Sequence, residues 1–150
     1  MDIVVERRIA ADPSVVWELV SDARAWAQWQ GSEAEIDPVP GGVHRVKVTA
    51  ESHTAGQIVE LDPPRRISFT WGFDVEGHPL PAASTLVVID LIPDGNGTLV
   101  RLTQQRVPDD MTGVHDGWTM YLDRLATVAE GGDPGPDPNL AKAYPDSPPG

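Results

Sequence analysis

The spacing of apolar residues changes several times along the chain, and each change marks a new predicted element. In residues 3–8, Ile3, Val5 and Arg7 alternate with Val4, Glu6 and Arg8, a weak signal of a strand. Asp12 then supplies a capping carboxylate, and Pro13 suits the first turn of a helix whose apolar residues recur at helical spacing. Asp22 begins a second short helix, which carries two tryptophans three residues apart on one face.

Beyond a turn at residues 38–42 the period becomes two, which is the period of β-strands. Short turns rich in proline, glycine and aspartate separate the segments that follow. Strands are predicted at residues 44–49, 56–61, 67–73, 86–92 and 99–107. Strands joined by such short turns form an antiparallel sheet.

A long amphipathic helix follows the last strand. Asp109 and Asp110 are expected to cap its start, and Gly131 to end it. Its apolar side chains recur at spacings of three and four: Val114, Trp118, Tyr121, Leu122, Leu125 and Val128. One such helix covers one face of an antiparallel sheet, so the pattern predicts an α+β domain. The space between helix and sheet is the natural ligand site.

Composition narrows the classes of protein. The chain has 150 residues, a formal net charge of -12 and no cysteine. Its acidity disfavours nucleic acid and anionic membrane surfaces as partners. The absence of cysteine excludes disulfides, thiolate metal sites and a cysteine nucleophile. No apolar run approaches the roughly 20 residues of a membrane span, and the start does not resemble a signal peptide, so we expect a cytoplasmic protein without membrane insertion.

The last twenty residues differ in composition from the rest. Residues 131–150 are rich in proline and glycine, and we expect them to form a mobile tail or one lying on the surface. Only Leu140 and Tyr144 in this stretch are suited to a core. The predicted domain therefore spans residues 1–130. No metal-ligand spacing, phosphate loop or dinucleotide fingerprint occurs in the sequence, so no cofactor is expected.

Several segments, in this order, resemble one protein family. They are Ala11–Trp17, Trp26-x-x-Trp29, Gly41–Val46, Gly56–Trp71, Gly97-Thr98 and Gly117-Trp118. Together they are similar to the homologues of the activator of the heat-shock-protein-90 ATPase, within the SRPBCC or START-like superfamily. The resemblance implies the helix-grip fold: a curved antiparallel sheet around a long C-terminal helix, two short helices after the first strand, and a cavity between sheet and helix. It implies no single activity, since the superfamily includes lipid and hormone binders, polyketide cyclases and co-chaperone domains.

On the sheet side, the inward-facing side chains are the candidates for the cavity wall. Trp71 and Phe73 share the inward phase of their strand, as pocket lining or as plain core packing. Gln104 continues the inward phase of the last strand, at a position near which the family often has a histidine, and it can orient a polar ligand atom. His44 and Trp29 complete the predicted lining, with His44 either facing inward or lying in water at its strand end.

On the helix side, Trp118 faces the sheet and either caps the cavity or anchors the helix. Met111 and His115 precede it on nearly the same face, so the three residues are predicted to form the cavity mouth. His115 is the titratable candidate, against the alternative of a solvated histidine near a helix start. Arg106 is interpreted as part of a rim salt bridge rather than as a partner for a ligand carboxylate, and His78 as a solvated loop residue.

Three functions are open at this point. The favoured one is a module that binds a small hydrophobic or amphipathic molecule in the cavity, with no assigned catalysis. The second is a cyclase- or hydrolase-like enzyme that uses His115 or His44 as a base, which would need two convergent polar groups. The third is a chaperone-interaction module, ranked last because the co-chaperone relatives carry a separate partner-binding domain. A homodimer is compatible with all three.

Overall fold

One antiparallel sheet dominates the computed structural model, which describes residues 1–141. Its strands are β1 (Ile3–Ile9), β2 (Glu33–Ile36), β3 (Val43–Lys47), β4 (His53–Asp62), β5 (Arg66–Trp71), β6 (Thr85–Asp94) and β7 (Gly97–Gln105). Across the sheet the order is β1-β7-β6-β5-β4-β3-β2, so the last strand returns to pair with the first. The prediction for Tyr144 lies outside the described residues.

Within residues 1–141, three α-helices accompany the sheet: α1 (Pro13–Ser21), α2 (Ala23–Trp26) and α3 (Val114–Ala129). The helix α3 packs its buried stripe against the inner face of the sheet, where one apolar core joins helices and strands. This arrangement confirms the predicted α+β architecture, with two short helices after the first strand and a C-terminal helix held by the sheet.

The inner face of the sheet follows from the period of two in each strand. In β6 and β7 the buried residues alternate with more exposed ones; they are Thr85, Val87, Ile89, Leu91, Thr98, Val100, Leu102 and Gln104. The register sets Gln104 opposite Val87 and Thr85 opposite Trp71. The inward phase predicted for Gln104 and Trp71 is therefore the one observed.

The two predicted aspartate caps are present. The carboxylate of Asp12 accepts a hydrogen bond from the backbone N–H of Ser14 at 3.1 Å, and that of Asp22 accepts one from Ala25 at 3.0 Å. The hydrogen bonds from Ser14 hold the pKa of Asp12 below its ordinary value. Both caps are local, which is why the sequence alone predicts them.

The start of α3 differs from the prediction. The helix begins at Val114 behind Gly113 and has no side-chain cap, so Asp109 and Asp110 do not cap it. Asp109 instead lies 3.3 Å from the N-terminal amine. The reason lies in the preceding strand: Arg106 has a positive φ of 67°, which ends the strand's alternation and leaves this side chain exposed. The residues between β7 and Val114 then carry the chain from the end of that strand to the inner face of the sheet.

Two further differences concern strands. The short edge strand β2 was not predicted, because its four residues, Glu33–Ile36, offer only two apolar side chains to the alternation. Conversely, β5 ends at Trp71, and Phe73 lies beyond it in isolated bridges to Thr54 and Pro81. The predicted common strand phase of Trp71 and Phe73 therefore stops at Gly72.

After α3 the chain turns at Gly131, whose φ of +91° is the left-handed conformation common after helix ends. Residues 133–141 then lie beside α3 and end in a short 3₁₀ helix, Pro138–Ala141. The domain boundary at residue 130 stays a prediction.

Candidate functional site

Six ring side chains meet between the sheet, α2 and α3, and we call them the aromatic cluster. They are Trp26, Trp29, His44, Phe69, Trp71 and Trp118. The imidazole of His44 lies flat on the ring of Phe69, with centroids 3.8 Å apart and planes 5° from parallel. The ring of Trp26 meets the imidazole edge-on at 4.8 Å. His44 therefore occupies the centre of an otherwise apolar group.

A glycine makes this stack possible. Strand β4 lies between β3, which carries His44, and β5, which carries Phe69. The residue of β4 directly opposite His44 is Gly56, which has no side chain to separate the two rings. A Cβ added at Gly56 would also overlap the carbonyl oxygen of Thr70. The sequence thus brings the two rings into contact across an intervening strand.

The imidazole of His44 is the exceptional group of the cluster. Its side chain is 0% exposed, and neither ring nitrogen has a hydrogen-bond partner among residues 1–141. Burial lowers the pKa of His44 to about 3, an effect opposed only by the residue's own main chain. A neutral imidazole carries one donor and one acceptor, so both hydrogen-bonding groups of His44 are unsatisfied.

Four other residues of this interior are joined by a series of hydrogen bonds. The indole N–H of Trp118 donates to Oε1 of Gln104 at 2.7 Å, and Nε2 of Gln104 donates to the hydroxyl of Thr85 at 2.9 Å. Thr85 in turn donates to the carbonyl of Trp71 at 2.7 Å. We call this series the polar chain. Because each of its members already has a partner, it has a sufficient structural role without a ligand.

Of the predicted site residues, five come together in the interior: His44, Trp29, Trp71, Trp118 and Gln104. The indole N–H of Trp29 donates to the carbonyl of Leu19 at 2.8 Å, which fixes this ring under α1. The functional roles of these residues stay predictions.

The other predicted residues lie apart from this group. His115 is exposed, 3.6 Å from the carboxylate of Asp116, and so does not share the buried face of Trp118. Met111 is half-buried at the edge of the core, in the turn before α3. Phe73 stacks on His78, with ring centroids 4.3 Å apart. His78 is buried, so the expectation that it would be solvated is wrong. The three residues predicted for the cavity mouth are therefore not gathered in one place.

Three members of the site were not singled out from the sequence. Phe69 shares the inward phase of Trp71, so the alternation of β5 was a sufficient signal for it. Trp26 belongs to the tryptophan pair of the second helix, but only its partner was predicted to line the cavity. Thr85 had no sequence signal, because its role depends on its distance from Gln104.

The cluster is closely packed, since each of its six side chains is at most 5% exposed. An open groove of about 620 Å³ lies elsewhere, on the outer side of α3 beside Pro134, Pro136 and Pro138. Among residues 1–141, no group of three histidines or acidic residues is arranged to hold a metal ion. The same residues contain no helix that is long and apolar enough to cross a membrane.

A sheet that grips a C-terminal helix around an aromatic interior defines a domain of the SRPBCC type. Residues 10–130 match the family model described as activator of Hsp90 ATPase homolog 1-like protein. The chain belongs to this family, which confirms the resemblance seen in its motifs. No curated protein matches the sequence.

Solved structures of similar proteins agree with this assignment. The AHSA1-like protein RHE_CH02687 from Rhizobium etli is 40% identical, with 95% of this chain and 91% of that chain covered and a TM-score of 0.68. Protein MLL2253 from Mesorhizobium loti reaches a TM-score of 0.78 at 19% identity, covering 87% of this chain and 97% of its own. The Aha1 dimer from Colwellia psychrerythraea gives a TM-score of 0.74 at 17% identity, with 88% and 98% covered. The last two similarities show a shared fold.

Proposed function

We propose that this protein binds a small hydrophobic or amphipathic molecule between the sheet and α3, with one polar atom of the ligand paired to His44. One observation carries the proposal: a fully buried imidazole with two unsatisfied nitrogens lies at the centre of an aromatic cluster. Buried polar groups in proteins nearly always have partners, and each unsatisfied one costs about 1–3 kcal/mol. A ligand that hydrogen-bonds to His44 would recover part of this cost.

The surroundings of His44 define the kind of molecule that fits. Rings of Trp26, Phe69 and Trp71 surround it and offer large apolar surfaces with few rotamers. The polar side chains that accept hydrogen bonds from the indoles of Trp26 and Trp118, Gln30 and Gln104, are uncharged and already paired. Most of the binding free energy would therefore come from apolar contact, with His44 supplying orientation.

The packing of the cluster implies that binding requires movement. Because the rings are in contact, the described structure corresponds to a closed state, and a ligand must favour a more open one. The short helix α2 is the element best suited to move, since it spans only four residues and places Trp26 over His44 without belonging to the sheet. We therefore propose that the ligand enters on the α2 side of the cluster.

We propose binding without a catalytic step. General bases work best when their pKa lies near the operating pH, and the pKa of His44 is far below neutrality. His115, the other histidine considered as a base, lies in solvent beside Asp116. The cytoplasmic location and the homodimer also remain proposals; for the second, the dimeric neighbour from Colwellia psychrerythraea is the motivation, and sedimentation analysis is the test.

A fluorescence titration tests the binding proposal. The probe is N-phenyl-1-naphthylamine, a neutral amphipathic amine, and binding is followed by quenching of the protein's tryptophans, four of which belong to the cluster. We expect His44→Phe, which keeps a ring but removes both nitrogens, to weaken binding about tenfold, the value of one hydrogen bond of about 1.4 kcal/mol.

The matched control is His115→Phe, the same substitution at an exposed histidine. It should leave the probe's dissociation constant unchanged. Equal binding by the wild type and His44→Phe would contradict the proposal. A loss of binding in His115→Phe alone would instead show that the probe binds near the start of α3 and not at His44.

A further inference from the structure

The segment after α3 is attached to the domain through a buried carboxylate. Asp137 is 5% exposed, although the residues around it, 131–136 and 138–140, are all more exposed. Its Oδ2 accepts a hydrogen bond from the backbone N–H of Gly31 at 2.8 Å. Its Oδ1 accepts from the hydroxyl of Tyr121 at 3.1 Å and from the backbone N–H of Asn139 at 2.8 Å. One side chain thus joins the segment to α3 and to the loop after α2.

The guanidinium of Arg124 makes a second connection between the same three parts. Its Nε donates to the carbonyl of Trp29 at 2.9 Å. Its other nitrogens donate to the carbonyls of Pro134, Gly135 and Pro136 at 3.1–3.2 Å. Arg124 lies on α3, so it holds the loop after α2 on one side and the C-terminal segment on the other. Charge-assisted hydrogen bonds of this kind are about twice as strong as neutral ones.

Both connections converge on residues 29–31, in the loop that begins after α2 ends at Trp26. The same helix carries Trp26, whose ring lies edge-on against His44 at 4.8 Å. Ligand access to His44 from the sheet side would require strands to separate, whereas access from the α2 side requires only that this short element move. Asp137 and Arg124 oppose that movement, because each would lose a bond to the loop.

We propose that residues 133–141 form a strap that holds α2 and its loop against α3 and thereby controls access to the interior site at His44. The control of ligand access rests on the proposed function, whereas the attachment of the strap to α3 and the loop does not. The strap lies beyond residue 130, where the match to the family model ends.

The way in which the strap is attached suits a reversible closure. It runs past the open groove of about 620 Å³ beside α3, so it is not packed continuously on the helix. Asp137 is its one buried residue among 131–140. A segment held by a few hydrogen bonds, with little buried apolar area, opens locally at a lower free energy than the core.

Hydrogen exchange of the unliganded full-length protein tests the strap itself. The substitution is Asp137→Asn, which keeps the shape but replaces an acceptor oxygen by a donor and removes the charge. We expect exchange of the peptide spanning residues 23–31 to accelerate between about 10-fold and 100-fold, the loss of one hydrogen bond to a charged group. Amides in β6 and β7 should exchange as in the wild type.

The matched control is Asp133→Asn, an exposed carboxylate of the same segment whose hydrogen bond is to Gly135 within the strap. It should leave residues 23–31 protected. If Asp137→Asn destabilises the whole domain, Tyr121→Phe gives the second measurement, since it removes one donor to Asp137 and keeps the buried ring. Unchanged exchange of residues 23–31 in both variants would overturn the strap.

Association kinetics connect the strap to the site. With N-phenyl-1-naphthylamine, Asp137→Asn should raise the association rate constant about tenfold or more, in step with the faster exchange. If the probe fails to bind the wild type while exchange still accelerates in Asp137→Asn, the proposed function is wrong. The strap would then hold α2 and its loop against α3 without controlling the access of a ligand. If exchange accelerates and the association rate constant stays unchanged, the strap does not control access.

Discussion

Two polar side chains on the inner face of one sheet have opposite surroundings. Gln104 on β7 is bonded on both sides, to the indole of Trp118 and the hydroxyl of Thr85. His44 on β3 is equally buried and has no hydrogen-bond partner in the described part of the chain. A buried polar group that is satisfied fixes the packing around it, whereas one that is unsatisfied lowers stability. The hydrogen bonds around Gln104 are therefore complete without a ligand, whereas those of His44 are not.

The comparison also separates two roles that a polar residue can have in a core. Gln104 and Trp118 were both predicted to line a ligand cavity, but their mutual hydrogen bond gives them a structural task already. His44 has no such task, since rings surround it on the side where a partner would lie. In this protein, unsatisfied buried atoms therefore distinguish His44 from Gln104, which inward phase alone does not.

Of the changes that test this comparison, Gln104→Leu is expected to have the largest effect on the free energy of unfolding. The substitution keeps the inward apolar packing but leaves the buried indole N–H of Trp118 without an acceptor, and it removes the donor to Thr85. We expect the free energy of unfolding to fall by about 2–3 kcal/mol, measured by urea denaturation at pH 7. A loss below about 0.5 kcal/mol would show that the polar chain does not stabilise this half of the interior.

A smaller effect on the free energy of unfolding is expected from a change of pH, because His44 takes up a proton when the protein unfolds. Burial lowers the pKa of His44 in the folded state from 6.5 to about 3. Between these two pH values the His44 ring is protonated in the unfolded chain but neutral in the folded protein. Stability is therefore lost as the pH falls below 6.5. From pH 7 to pH 5 this contribution is about 2 kcal/mol at about 1.4 kcal/mol per pH unit.

Urea denaturation at the two pH values checks this linkage, with His44→Phe as the reference. The wild type should lose about 2 kcal/mol more than the variant between pH 7 and pH 5. Parallel losses in the two proteins would mean that His44 becomes protonated in the folded state, which requires solvent or a partner at its ring.

The parts of the fold that were predictable are those set by local patterns. The caps at Asp12 and Asp22 depend on neighbours two or three residues away, and the stripe of α3 depends on its own period. The inward phase of Gln104 and Trp71 follows from strand alternation. These features need no knowledge of what lies across the core.

The rest depends on distant parts of the chain. The bond of Trp118 to Gln104 joins residues 14 positions apart, and that of Asp137 to Gly31 joins residues 106 apart. The isolation of His44 follows from Gly56 on one strand and Phe69 on another. His115 was predicted to share the buried face of Trp118 but is exposed. The local spacing in α3 does not reveal how far along the helix its contact with the sheet extends.

Nitrogen-15 NMR of the labelled histidine side chains decides whether the ring nitrogens of His44 pair with a ligand. In the free protein, we expect the buried His44 ring to stay neutral at pH 5. Saturating N-phenyl-1-naphthylamine should shift one His44 ring nitrogen toward its hydrogen-bonded position and leave His115 unchanged. A His44 ring that titrates near pH 6.5, or that does not respond to bound probe, would rule out this role for His44.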